Sequence, residues 1–241
     1  RWKAPQKPIP WEGVLKTQKF SKKAMQSLEK SWNTMDKLSE DCLYLNVWKP
    51  ADLGKDKLPV LFLIHGGRFT QGGTRGPEIN GSSMAKKDII VVTANYRLNI
   101  FGFLAHPELS AETAYKGSGN YGLLDLQLAL EWVKNNIAVF GGDPHRITLA
   151  GESAGAYAIR TFITSPLTKN LVVGAIGSSG GGLTTPSLEW AEKNGIQTLE
   201  YLGYKSVEEL RKASTSDIIK IYKNKSLSKA HIFNTDNYLI R

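Results

Sequence analysis

Gly151-Glu152-Ser153-Ala154-Gly155 sets a serine hydroxyl between glycines, after the apolar run Ile147 to Ala150 and before the helix-like run Ala156 to Ile163. Strand, sharp turn and helix form the context in which such a serine becomes a nucleophile, because the bend lifts its hydroxyl clear of a sheet edge. Side chains at Gly151 and Gly155 are expected to clash with neighbouring backbone in that bend. The same pentapeptide also reads as a serine cap on an ordinary β–α turn. A second glycine cluster, His65-Gly66-Gly67-Arg68-Phe69, closes another apolar run upstream. Acyl transfer through serine needs backbone N–H groups aimed at the negative oxygen of the tetrahedral intermediate, usually from such a loop and from the residue after the nucleophile. Gly67, Arg68 and Ala154 are the candidate donors, with Gly66, Gly151, Glu152 and Gly155 supporting them. A glycine-rich packing turn is the plainer alternative for this cluster.

A serine of this kind also needs a histidine to take its proton and an acid to orient that histidine, in the chain order Ser, Asp/Glu, His. His65 belongs to the glycine loop, His106 precedes the serine and His145 lies in the turn before it. His231 follows the serine, with Asp217 between them, so the order is formally allowed. Both lie in or beside a lysine-rich helical stretch, which is a poor setting for a triad. Cys42 is the only cysteine, which precludes an internal disulfide and reads as a small buried hydrophobe. Acyl transfer of this kind needs no metal or organic cofactor, and no metal-ligand spacing such as C-x-x-C or H-x-x-x-H appears.

The elements that must position these residues follow from periodicity. Leu43, Leu45 and Val47 alternate with polar or aromatic neighbours, a period-2 strand ended by Pro50. Val60 to Ile64 and Ile89 to Ala94 are apolar on both faces, as buried strands are. Leu123, Leu126, Leu130, Val133 and Ile137 form one helical stripe. Residues 171–179 read as a further strand, and amphipathic helical segments begin at Ser187. Residues 1–35 read as a polar, proline-punctuated entry segment, and 51–57 as a turn. Strands alternating with helices imply a mostly parallel sheet covered on both faces, with ligands beyond the carboxyl ends of its strands.

The chain has 241 residues, 41% of them hydrophobic, and a formal charge of +9. That is enough apolar material for a core, and no run approaches the roughly 18 apolar residues of a membrane span. The basic excess reads as a lysine-rich solvated surface. A nucleic-acid or anionic-surface binder is the rival it raises, without any recognition motif to support it. Arg1 opens the chain with no charged or apolar leader segment, which together with the single cysteine leans toward the cytoplasm and leaves secretion open.

"SEDCLYLNVW" (39–48), "HGGRF" (65–69), "NYRLNIFGFL" (95–104), "GNYGLLDLQLAL" (119–130) and "FGGDPHRITLAGESAGA" (140–156) stand in the order seen in type-B carboxylesterases. The chain closely resembles that carboxylesterase/cholinesterase family of α/β-hydrolases, its para-nitrobenzyl-esterase-like branch most of all. The resemblance implies a partial α/β-hydrolase domain over 1–241, lacking the extreme N-terminal strands and the C-terminal portion. It implies Ser153 as acyl-forming nucleophile, Glu152 beside it, Gly67, Arg68 and Ala154 as oxyanion donors, and Ser179 as a serine that steadies the acidic triad member. It also implies ion pairs Arg1–Glu40 and Arg97–Asp125. Three departures stand out. Arg68 replaces the family's usual glycine or alanine, and Ala24 stands where many relatives have a cysteine partner for Cys42. The triad acid and histidine, which in relatives lie well beyond the equivalent of residue 241, are expected outside this chain, so that these 241 residues alone are expected to be poorly active. The function implied is hydrolysis of a small carboxylic ester, with no nucleic-acid partner and no membrane span. The alternatives are an esterase-like interaction or adhesion protein without catalysis, or an inactive fragment.

Overall fold

The computed structural model describes residues 1–27, 37–52, 54, 56–76, 79–180 and 185–231. Residues 28–35 of the expected entry segment and residues 53 and 55 of the expected turn lie outside that set.

Two short strands, β1 (Lys23–Ala24) and β2 (Leu38–Ser39), pair in parallel. The main sheet contains β3 (Leu45–Trp48), β4 (Leu58–Ile64), β5 (Ile90–Ala94), β6 (Gly142–Glu152) and β7 (Gly174–Ser178), in the order β3-β5-β4-β6-β7. Only β3 runs antiparallel to its neighbour; the pairings β5-β4, β4-β6 and β6-β7 are parallel. The expected strands are therefore present, and β3 is an antiparallel edge on an otherwise parallel sheet.

Register explains the core. Val60 stands opposite Ile90 and Ile147, and Phe62 opposite Val92 and Leu149, so these side chains share one face. All six are buried with the stripe Leu123, Leu126, Leu130, Val133 and Ile137 of helix α4 (Tyr121–Asn136), and with Ala158, Ile159 and Phe162 of helix α5 (Ala154–Thr164). The other face is covered less evenly. Helix α1 (Ser82–Ala85) starts against it, where a side chain at Gly81 would meet Val91 Cβ at 2.7 Å and Trp48 Cε3 at 3.0 Å. Farther along that face Leu61, Leu63 and Thr148 are half-buried, and Ile176 of β7 is exposed.

Short helices α2 (Asn99–Phe103) and α3 (Pro107–Ala111) follow β5. The last part of the chain folds as α6 (Leu188–Leu202), α7 (Val207–Lys212), α8 (Thr215–Ile218) and α9 (Leu227–Ala230). Serine begins three of these helices: Ser187, Ser206 and Ser214 accept the N–H groups of Trp190, Glu209 and Asp217. Such caps satisfy donors that a helix leaves free at its start. Among the described residues, no helix is long and apolar enough to cross a membrane.

Two ion pairs tie these layers together. Arg1 binds Glu40 through Nε and Nη2, both at 2.6 Å, while its Nη1 donates to the carbonyl of Ala213 at 2.7 Å. Arg97 grips Asp125 with Nε at 2.7 Å and Nη2 at 2.6 Å, and its backbone N–H adds a third bond at 3.0 Å. The Asp125 side chain is fully buried, so α4 is anchored to the loop after β5 by a charge that water does not reach.

Breaking a buried pair leaves its partner uncompensated, which typically costs about 3–5 kcal/mol. Asp125→Ala is therefore expected to lower the urea midpoint strongly, whereas Lys212→Ala, which breaks the exposed pair with Glu208, should leave it nearly unchanged. Equal midpoint losses in the two variants would contradict this account.

Candidate active site

At the end of β6 the chain makes its sharpest bend. Ser153 has φ 53° and ψ −118°, outside the broad regions open to L-residues. Backbone in such a region costs about 1–3 kcal/mol and persists only where its surroundings over-determine it. Here the Ser153 N–H donates to the carbonyl of Ser178 at 2.9 Å, and the Ser153 carbonyl accepts the N–H of Tyr157 at 3.1 Å. The glycines are required by close approach: a Cβ on Gly155 would lie 2.2 Å from the Ile64 carbonyl oxygen, and one on Gly151 2.8 Å from the Gly155 carbonyl carbon. The clash expected from the sequence is therefore real at both positions. Ser153 stays half-exposed at the first turn of α5, where Ala154 and Gly155 are buried.

The glycine loop leaves β4 directly beside this bend, because Ile64 is in register with Gly151. A Cβ on Gly66 would sit 3.4 Å from Ser153 Cβ and 2.8 Å from Glu152 Oε2. The loop then curls through positive φ at Gly67 (113°), Arg68 (57°), Phe69 (60°), Gly72 (118°) and Gly73 (151°). The Gly67 carbonyl accepts the N–H groups of Thr70 and Gln71. Phe69 is buried, with ring centroids 5.3 Å from Phe103 and 6.3 Å from Tyr96. Arg68 is exposed, and its left-handed φ gives a physical reason for glycine there. Among the described residues no acceptor is found for the N–H groups of Gly67, Arg68 or Ala154. Ser179 lies just past β7 with φ 56°, exposed, next to the Ser178 carbonyl that holds Ser153.

The histidines are engaged elsewhere. His65 Nδ1–H donates to the Gly66 carbonyl at 2.8 Å, and its ring stacks on Tyr96 at 4.3 Å between centroids. Its Nε2 is buried without a partner among the described residues, and burial pushes the ring down to about 4. His106 caps α3 by accepting the Glu108 N–H at Nδ1, and His145 is exposed in β6. His231 lies buried with Nε2 3.1 Å from Thr198 Oγ1, and burial pushes it down to about 4 as well. Asp217 pairs with Lys220 at 2.6 Å and accepts from Ser214. The formally allowed Asp217–His231 dyad is thus not formed. Burial pushes the Cys42 thiol up to about 12, which makes it unreactive. Among the described residues no group of three potential metal ligands occurs.

Three buried side-chain amides hold the glycine loop, and no local pattern in the sequence marks them. Asn95 Oδ1 accepts from the backbone and hydroxyl of Thr74, while its Nδ2 donates to the carbonyls of Lys22 and Cys42. Asn99 donates to the carbonyls of Met25 and Thr70. Gln26 bonds both the N–H and the carbonyl of Gly72. The entry segment, expected to be a polar lead-in, therefore ends in buried residues that clasp the site.

Gly155→Ala is expected to be destabilised by about 1–3 kcal/mol or more through overpacking against backbone, while Gly54→Ala, with nothing within 4 Å, should be neutral; urea titration compares them. Acid should also weaken the fold. His65 and His231 are held neutral, so their contribution is complete above about pH 6.5 and is lost as pH falls toward 4. His231→Gln should flatten the dependence of the urea midpoint on pH between 7 and 5; an unchanged slope would refute this.

Comparison with known proteins identifies the family. Residues 1–237 match the model of the carboxylesterase family. The chain is 43% identical over 224 residues to a fumonisin B1 esterase of Sphingopyxis macrogoltabida, covering 92% of this chain and 40% of that protein. It is 40% identical over 227 residues to a para-nitrobenzyl esterase of Bacillus subtilis (strain 168), covering 91% of this chain and 45% of that one. A crystal structure of the Geobacillus stearothermophilus carboxylesterase EST55 at pH 6.2 superposes with TM-score 0.86 at 37% identity, covering 99% of this chain and 49% of the other. The chain thus spans about half the length, or less, of these relatives. With the α/β-hydrolase sheet, the bend at Ser153 and a family match over nearly all its residues, this chain belongs to the carboxylesterase family.

Proposed function

We propose that the protein hydrolyses a small carboxylic ester through an acyl-serine intermediate, and that Ser153 is the nucleophile. One observation carries the reading: the strained Ser153 bend abuts a glycine loop whose Gly67 and Arg68 N–H groups lack acceptors among the described residues. Strain at a serine that a plain β–α turn would not need is a cost retained for position. Membership of the carboxylesterase family, and relatives that include a fumonisin B1 esterase and a para-nitrobenzyl esterase, support ester chemistry over other acyl transfers.

The steps follow from the atoms present. Ser153 Oγ attacks the ester carbonyl carbon and yields its proton to a histidine that is none of the four in this chain. The carbonyl oxygen becomes an oxyanion, held by the N–H groups of Gly67, Arg68 and Ala154. Collapse expels the alcohol, which takes a proton from that histidine and leaves the acyl group on Ser153. Water then repeats the sequence and releases the acid. Each oxyanion donor of this kind is worth about 2.7–4 kcal/mol of transition-state stabilisation. The Arg68 donor is a backbone group, so its long side chain does not remove it. Glu152 lies beside Gly66 and supports the loop, and Ser179 steadies the acid that orients the histidine. No metal or organic cofactor takes part in these steps.

The test is an intact mass of the protein that also carries the triad histidine and acid, before and after treatment with an organophosphonate that phosphonylates activated serines. One adduct on Ser153, absent in Ser153→Ala, is the expected result. That protein left unmodified would count against catalysis and favour an esterase-like binding role, whereas these 241 residues without the histidine are expected to react poorly.

A further inference from the structure

We infer that Gln26 is the positioning residue of the glycine loop, setting the plane of the Gly66–Gly67 peptide that presents one oxyanion donor; the inference rests on the esterase reading above. Gln26 is 1% exposed. Its Oε1 accepts the Gly72 N–H at 3.1 Å, and its Nε2 donates to the Gly72 carbonyl at 2.8 Å and to the Ala24 carbonyl at 3.0 Å. One planar amide therefore grips both polar groups of one glycine, and Ala24 of β1 fixes the grip.

Gly72 is the point at which the loop returns onto its own start. A Cβ there would lie 2.5 Å from His65 Nδ1 and 2.6 Å from the Gly66 carbonyl oxygen. Held by Gln26, Gly72 walls in the His65 ring, which stacks on Tyr96 and donates Nδ1–H to the Gly66 carbonyl. The Tyr96 hydroxyl in turn donates to the His65 carbonyl at 3.1 Å. The Gly66 carbonyl and the Gly67 N–H belong to one planar trans peptide and point in opposite directions. Fixing the carbonyl toward His65 therefore aims the N–H to the other side. Gln26 touches neither Ser153 nor the expected place of the substrate; it acts through Gly72, His65 and Gly66.

The loop needs such a clamp. Five of its residues between Gly67 and Gly73 have positive φ, two of them not glycine, so its own conformational preferences do not hold it. A donor displaced by about 1 Å can lose on the order of 100-fold in rate.

The experiment compares wild type, Gln26→Met, Gln26→Glu and Thr198→Val, each in the protein that also carries the triad histidine and acid, using stopped-flow phosphonylation of Ser153, amide exchange of residues 66–74 and urea stability. Gln26→Met keeps the length without hydrogen bonds; Gln26→Glu keeps the acceptor for the Gly72 N–H and removes the donor to its carbonyl. Thr198→Val removes a buried hydroxyl far along the chain as a control for lost stability. Both Gln26 variants are expected to bind the phosphonate with little change in apparent affinity and to form the covalent adduct about 10- to 100-fold more slowly. Their 66–74 amides should exchange faster. Thr198→Val should lose stability yet react at the wild-type rate. Adduct formation within about twofold of wild type in the Gln26 variants overturns the inference, as does an equal slowing in Thr198→Val. Should Gln26→Met not fold, Gln26→Glu decides by the same ratio. A wild-type protein that carries the triad histidine and acid and forms no adduct refutes the esterase reading by itself, and the inference falls with it.

Discussion

The structure depends on a contact between two backbones. At the carboxyl ends of β4 and β6 the chains approach so closely that any side chain on Gly155 would enter the Ile64 carbonyl. That approach sets the turn at Ser153, and it brings the loop that leaves β4 against the serine that follows β6. Neighbouring parallel strands make this juxtaposition possible, because both end on the same side of the sheet. The core beneath it, from Val60 and Phe62 to the α4 stripe, keeps the two strand ends in register. The site is thus a consequence of sheet order, and its strain is carried by a well-packed face.

Around this contact the polar groups are treated unequally. The loop's own N–H groups at Gly67 and Arg68 find no acceptor among the described residues, while the peptides flanking them are bound by buried amides and a neutral histidine. Buried polar groups left unpaired are costly, whereas those that are paired rigidify. That contrast is what the proposed oxyanion site would require: fixed surroundings and donors left open. His65 serves it as a neutral ring, since burial holds it uncharged at ordinary pH and its Nδ1–H stays committed to Gly66.

The charged groups work at a different level. Arg97–Asp125 and Arg1–Glu40 join segments far apart in sequence and lie away from the bend, holding α4, the entry segment and the carboxyl end of α7 to the sheet. They account for two members of the basic excess. Many of the remaining lysines are exposed, which fits the solvated-surface reading of the charge.

Much of the site was legible in the sequence, for identifiable reasons. Strands at Val60 and Ile90, the stripe of α4 and the bend at Ser153 are set by residue type and period within a few positions, and local sterics act at that range. The glycines at 151 and 155 belong to this group, because only glycine tolerates such approach. Even the pairs at Arg1 and Arg97 were expected, though from family resemblance and not from spacing. Gln26, Asn95 and Asn99 were not legible. An amide signals nothing until a fold brings a particular peptide within about 3 Å of it, and residues 22–26 of the entry segment meet the loop and its neighbours through contacts far apart in sequence. The sequence by itself therefore determined which residues do the bending, and the tertiary structure alone decided which residues hold the bend still, since the first is a property of the chain's own dihedral angles and the second depends on neighbours dozens of residues away.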